Sequence, residues 1–201
     1  MKCEILSLPG YRVCEYLLVL HPHQDLVEKI IKVKEKFAEK YKADSARWGK
    51  PYIALVKFSQ LQMMEERLVN RLKMIAMSLP SLKIELKDFG SFPTHTIYIN
   101  VESKTTLQQL VKQIKPAQSL MRTQDKKAHF MDNPHMAIAR GLSPTQYEEA
   151  WLEYCHTHFT GKFIANSLLL LRRPEGTKAY HTIQSFDFMN MPVVTTQGSL
   201  F

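Results

Sequence analysis

The chain has 201 residues, 45% of them hydrophobic and 23% charged. These are the proportions of an ordinary soluble globular protein with one sizeable core, and they exclude disorder except at the ends. No apolar run approaches the roughly 20 residues needed to cross a bilayer, so no membrane partner is expected. The net charge of +8 favours acidic partners such as nucleic acid or phosphorylated small molecules.

In chain order, residues 15–20 form an apolar run closed by His21-Pro22, the pattern of a strand. Leu26, Ile30, Val33 and Phe37 then recur at helical spacing over 24–41, among lysines that need no partner beyond solvent. A turn-rich link leads to a strand over 51–58, a helix over 63–77 and an alternating strand over 82–86. Gly90-Ser91-Phe92-Pro93 reads as a turn into a strand over 95–101, and a short helix follows over 106–114. The basic segment 112–127, with Lys115, Arg122 and Lys126, reads as a loop: a basic flap or a plain connection. The second half repeats the order, with a strand over 134–140, a helix opened by Ser143-Pro144, and strands over 162–171 and 180–188. Residues 1–190 are expected to form one two-lobed domain with pseudo-repeats at about 24–101 and 106–188, and 191–201 a flexible tail. Cys3, Cys14 and Cys155 have no metal-ligand spacing and the N-terminus carries no leader-like pattern. Reduced thiols in a cytoplasmic protein, with neither metal nor cofactor, are the expectation.

The repeat is most informative at two short segments. Pro51-Tyr52-Ile53-Ala54-Leu55-Val56-Lys57 matches Pro134-His135-Met136-Ala137-Ile138-Ala139-Arg140 in pattern: proline, a ring, apolar residues around alanine, then a base. A second echo sets His95-Thr96-Ile97 against His181-Thr182-Ile183. Strict alternation puts His135, Ala137 and Ala139 on one face, and likewise Tyr52, Ala54 and Val56. Small residues beside a ring leave a hollow. The same alternation assigns Lys57 and Arg140 to the opposite face, while Thr96 and Tyr98 share a face that looks into a groove.

In these segments, in the duplicated order of elements and in the Phe92-Pro93 turn, the chain resembles the 2H phosphoesterase superfamily over roughly residues 15–188. That group contains 2′-5′ RNA ligase-like proteins and cyclic phosphodiesterases. The resemblance implies an α+β fold of two similar lobes, with antiparallel sheets flanking a central cleft and helices outside. It also implies two His-x-Thr/Ser units, one imidazole accepting a proton and the other donating one while the hydroxyls hold the phosphate. Tyr52 replaces one histidine and Ala54 and Ala137 replace both hydroxyl residues, so three of the four groups differ. Loss of one acid or base typically costs about 10²–10⁴-fold. The resemblance therefore implies a degenerate member that binds a nucleotide, an RNA end or another phosphorylated ligand, contacted by Tyr52, Ala54, Ala137, Tyr98, Thr96 and Arg140. The alternative is an active phosphodiesterase or RNA ligase with His135 as its acid/base and Tyr52 as a hydrogen-bond donor. His95 and His181 stand open as further contributors.

Overall fold

β-Branched and leucine-rich runs pair into the strands of a curled antiparallel sheet, and amphipathic helices cover one of its faces. The computed structural model describes residues 10–123, 126–177 and 179–192. Its strands are β1 (Val13–Leu20), β2 (Ile53–Leu61), β3 (Leu82–Phe92), β4 (Thr96–Val101), β5 (His129–Phe130), β6 (Met136–Arg140), β7 (Thr160–Ala165), β8 (Ser167–Pro174) and β9 (His181–Asp187). Its α-helices are α1 (Gln24–Tyr41), α2 (Glu65–Ser78), α3 (Lys104–Ile114) and α4 (Pro144–Tyr154). The strand order is β7-β3-β4-β6-β2-β1-β8-β9, with β5 added alongside β2. The fold is thus the expected α+β arrangement.

The centre of this order holds a weak join. β6 and β2 share the single rung Ile53–Met136, whereas every other neighbouring pair along the order shares four or more. Two four-stranded halves, β7-β3-β4-β6 and β2-β1-β8-β9, therefore meet at a hinge-like seam. Each half takes strands from both ends of the sequence. The link between β7 and β8 forces the curl, because these strands lie one residue apart in sequence with five strands between them in the order. The sequence reads 162–171 as one strand; Asn166 divides it, and its carbonyl accepts the Phe188 amide at 2.8 Å.

β3 also departs from expectation. It continues through Gly90 to Phe92, and the turn falls at Pro93–His95. Asp88 is the extra residue between Lys87 and Phe89, in the left-handed region with φ 52°. Its carboxylate accepts the Phe159 amide at 3.2 Å, and its own amide donates to the Phe159 carbonyl at 2.7 Å. The bulge re-phases the strand rather than ending it.

One continuous core lies between the sheet and the helices, built from residues such as Tyr16, Leu18, Ile30, Phe37, Leu68, Leu72, Ile84, Ile97, Leu107 and Leu170. α1 and α4 pack on the β7-β3-β4-β6 half, and α2 packs on β9 of the other half with α3 beside it. The Ser143-Pro144 start forms a capping box: Ser143 Oγ accepts the Gln146 amide at 3.2 Å, and Gln146 Oε1 accepts the Ser143 amide at 3.1 Å. Gln146 Nε2 also donates to the carbonyls of Tyr41 and Lys42, fastening α4 to the end of α1. Buried Lys34 donates to the carbonyls of Trp48 and Gly49, which fixes the link leading into Pro51.

The basic segment is tied down where it is described. Gln60 Nε2 donates to the carbonyls of Leu120 and Arg122, and Lys126 pairs with Glu175 at 2.8 Å; Gln124 and Asp125 lie outside the described residues. At the start of the expected tail the Met191 amide donates to the Met77 carbonyl, and just before it the Asn190 amide donates to that of Leu79; 193–201 lie outside the described residues, as does Cys3. Cys14 is buried and Cys155 exposed, both as free thiols. Among the described residues no helix is long and apolar enough to cross a membrane, and no group of three or more His, Cys, Asp or Glu could hold a metal ion.

Candidate functional site in the cleft between the sheet halves

The uncovered face of the sheet carries both duplicated segments. Ile53 and Met136 point into the core, so their sequence neighbours Tyr52, Ala54, His135 and Ala137 turn to the other face. Antiparallel register about the Ile53–Met136 rung then sets Tyr52 beside Ala137 and His135 beside Ala54. Tyr52 and His135 thus hold diagonal positions across the seam.

Both segments then break alternation at the same point. Leu18 pairs with Val56 but Val19 with Ala54, which leaves Leu55 as an extra residue. Ile97 pairs with Ala139 but Tyr98 with Ala137, which leaves Ile138 extra. Leu55 and Ile138 each occupy the fifth position of the segment. Both they and the residues after them, Val56 and Ala139, are buried in the core. This corrects the alternation expected from sequence: Val56 and Ala139 do not share the face of the rings, and Lys57 and Arg140 do. Lys57 pairs with Leu17 and Arg140 with Thr96, all on the cleft side. A β-bulge does this because one extra residue on one strand inverts the facing of everything beyond it.

In the β6 half, His135 is half-buried between aromatic rings. Its centroid lies 4.6 Å from that of Tyr98 and 5.0 Å from that of Phe92, the latter nearly edge-on at 78°. His135 Nδ1 donates to the Asn133 carbonyl at 2.9 Å, which leaves Nε2 as the nitrogen available to a ligand. Burial pulls its pKa down; the Asn133 hydrogen bond opposes this, and the Arg140 charge adds to it. Neutral imidazole is therefore favoured. Tyr98 is buried over Gly90, where a Cβ would stand 2.7 Å from the Tyr98 ring. Thr96 is buried beside exposed Arg140.

In the β2 half, Leu17, Val19, Ala54 and Leu171 make an apolar floor, with Tyr52, Met131, Leu169 and Tyr180 packed on it. Beyond this floor Glu15, Arg173, Lys57 and Tyr180 form a polar cluster. Arg173 Nε and an Nη donate to Glu15 Oε2 at 3.0 and 2.6 Å, the Tyr180 hydroxyl donates at 3.0 Å, and Lys57 Nζ stands 3.3 Å away. The Arg173 guanidinium also lies 4.6 Å from the centre of the Tyr180 ring. Burial alone would raise the Glu15 carboxyl; the bonds from Arg173, Tyr180 and Lys57 overcome it and hold the group below the ordinary carboxylate range.

The histidines of the echoed His-Thr-Ile segments lie in different places. Exposed His95 sits at the rim, its ring stacked 6.5 Å from Phe92. His181 pairs with Arg172, whose guanidinium bonds Glu65 of α2, so it lies on the helix side. The two His-Thr-Ile segments hold different places: one precedes β4 inside its half, the other begins edge strand β9. His21, one residue past the Leu20–Ile53 pair and hence next to Tyr52, has a buried Nε2 without a partner, and burial lowers its pKa. The sequence reading missed Glu15, Arg173, Tyr180 and Phe92. A base at the same position of both duplicated segments was the one available signal.

These features define an α+β protein with a curled antiparallel sheet, whose open face carries the two matched segments. The sequence profile of the 2′-5′ RNA ligase superfamily matches residues 22–177, and the chain belongs to that family, within the 2H phosphoesterases. Solved structures agree on the fold. E. coli LigT complexed with 3′-AMP is 14% identical, with a TM-score of 0.61 over 88% of this chain and 98% of that one. TT0787 of Thermus thermophilus is 10% identical, also with a TM-score of 0.61, over 87% and 98%. At these identities the likeness concerns the fold alone. No curated protein matches in sequence.

Proposed function

We propose that the cleft binds a nucleotide, an RNA end or a related phosphorylated ligand and does not turn it over by the usual reaction of the family. The carrying observation is the pair of matched bulges. They turn Lys57 and Arg140 to the face that carries the rings, with the Arg140 charge near enough to act on His135, yet the second ring is Tyr52 and both hydroxyl positions are alanine. Arg140 and a hydrogen bond to His135 Nε2 are suited to a phosphate oxygen. Ala54 and Ala137 offer it nothing, and one histidine cannot both accept and donate a proton in a single step. Structures of LigT with 3′-AMP, phosphate, ATP and NADP+ support a phosphorylated ligand as the class to try first. Thermal-shift measurements with mononucleotides, cyclic phosphates and short RNAs test this reading. A shift that disappears in Arg140→Gln is expected; no shift with any of them overturns it.

The fixed Nδ1–H of His135 favours a second reading, an altered phosphodiesterase or ligase with His135 as the acid/base and Tyr52 as a hydrogen-bond donor. Hydrolysis of a 2′,3′-cyclic nucleotide or a 2′-5′-linked dinucleotide, lost in His135→Ala, would establish it over the first.

A further inference from the structure

The two halves of the cleft treat negative charge differently. In the β6 half Arg140 is exposed, and its place beyond the bulge turns it to the cleft. In the β2 half the matching base, Lys57, is turned toward a carboxylate of the chain itself. Four polar hydrogens, two from Arg173, one from Tyr180 and one from Lys57, converge on one oxygen, Glu15 Oε2. A guanidinium fork, an ammonium and a phenol around a single oxygen is the donor set that recognises phosphate. Arg173 and Glu15 are each about a quarter or less exposed, so the cluster is built into the wall rather than laid on the surface.

We propose that Glu15 is an internal anion filling a phosphate-sized site formed by Arg173, Lys57 and Tyr180. The cleft then accepts ligands with one phosphate, held at His135 and Arg140, and rejects those that place a second anionic group in the β2 half. This selectivity rests on the reading that the cleft takes a phosphorylated ligand; the blocked site itself does not. The physical reason is charge balance. With Glu15 present, Arg173 is neutralised, and an incoming phosphate meets a carboxylate at close range, which low local dielectric makes costly. With Glu15 gone, the same donors face an empty place with two positive charges.

The test compares the intact protein with Glu15→Gln, Glu15→Gln/Arg173→Gln, and Glu28→Gln, which removes the same charge from the exposed surface of α1. Melting temperature is read in millimolar inorganic phosphate against chloride of equal ionic strength. Phosphate should raise Tm in Glu15→Gln by roughly 3 °C or more beyond any rise it gives the intact protein and Glu28→Gln. The readout is a phosphate-dependent rise, so a destabilised variant still reports, and Glu15→Ser serves if glutamine overfills the space. In addition, the intact protein should bind adenosine 3′-monophosphate about tenfold more tightly than adenosine 3′,5′-bisphosphate, and Glu15→Gln should erase that preference. No such additional rise in Glu15→Gln or Glu15→Ser, or an additional rise that survives loss of Arg173, overturns the blocked site. Equal binding of both nucleotides by the intact protein overturns the selectivity. If the intact protein binds neither nucleotide while Glu15→Gln gains its rise through Arg173, the ligand reading falls and the blocked site stands.

Discussion

Ile53 and Met136 form the rung that joins the two halves of the sheet, and their side chains enter the core from the same side. Tyr52, just before β2, and Ala54 lie to either side of Ile53, and His135, just before β6, and Ala137 to either side of Met136. With one rung at the seam, the halves are free to splay beyond it, which is what opens a cleft between strands that would otherwise lie about 4.8 Å apart.

Gly90 should prove necessary for the placement of His135. A Cβ there would stand 2.6 Å from Asn100 Oδ1 and 2.7 Å from the Tyr98 ring, on the face where that ring supports His135. Gly90→Ala is expected to cost about 1–3 kcal/mol through overpacking and to shift the His135 ring resonances. Unfolding in urea and an NMR spectrum of the histidines check both. An unchanged His135 signal would show that Tyr98 does not position it.

Stability should fall as pH drops below about 6.5, before the carboxylates titrate. The folded pKa values of His135 and His21 lie below their unfolded values, in each case mainly through burial. The unfolded chain therefore binds more protons, and stability rises with pH through this window. It is complete above the unfolded pKa and lost toward the folded ones. Melting curves at pH 7.5 and 5.5 should differ in the intact protein, and the difference should shrink in His21→Asn/His135→Asn. An undiminished difference would place the titrating groups elsewhere.

Glu65 holds a half-buried network between α2 and the sheet. Its carboxylate accepts the Tyr16 hydroxyl at 2.9 Å and Arg172 Nη1 at 2.9 and 3.1 Å. Glu65→Ala leaves both donors without their acceptor, at a cost of about 2 kcal/mol. Arg172→Leu/Glu65→Leu, which removes charge from both sides, should recover part of that loss. Equal losses in the two variants, measured by urea unfolding, would contradict this.

Restoring the missing groups should restore chemistry. Tyr52→His, Ala54→Thr and Ala137→Thr rebuild two His-x-Thr units at positions that all face the cleft. Threonine suits a strand, and the open side of the sheet gives the added hydroxyls room. A folded triple variant is expected to hydrolyse a 2′,3′-cyclic nucleotide with a bell-shaped pH profile. A folded variant that hydrolyses nothing would mean that the cleft serves another ligand chemistry.

The sequence by itself determined most of the elements and their α+β class. Helical period, strand content, the Ser143-Pro144 cap and the duplicated segments are all local signals, readable within a few residues. What lay beyond it was decided by pairing. In Ala54-Leu55-Val56-Lys57 and Ala137-Ile138-Ala139-Arg140 nothing local marks which residue is extra, because an apolar run fits either face. Only the partner strands β1 and β4 decide that Leu55 and Ile138 bulge, and so carry Lys57 and Arg140 into the cleft. Glu15 and Arg173 are 158 residues apart, and β1 meets β8 only because the sheet pairs strands from both ends of the sequence. A carboxylate read in isolation is a solvated charge; in the tertiary structure it answers the arginine, lysine and tyrosine that the fold assembles around it.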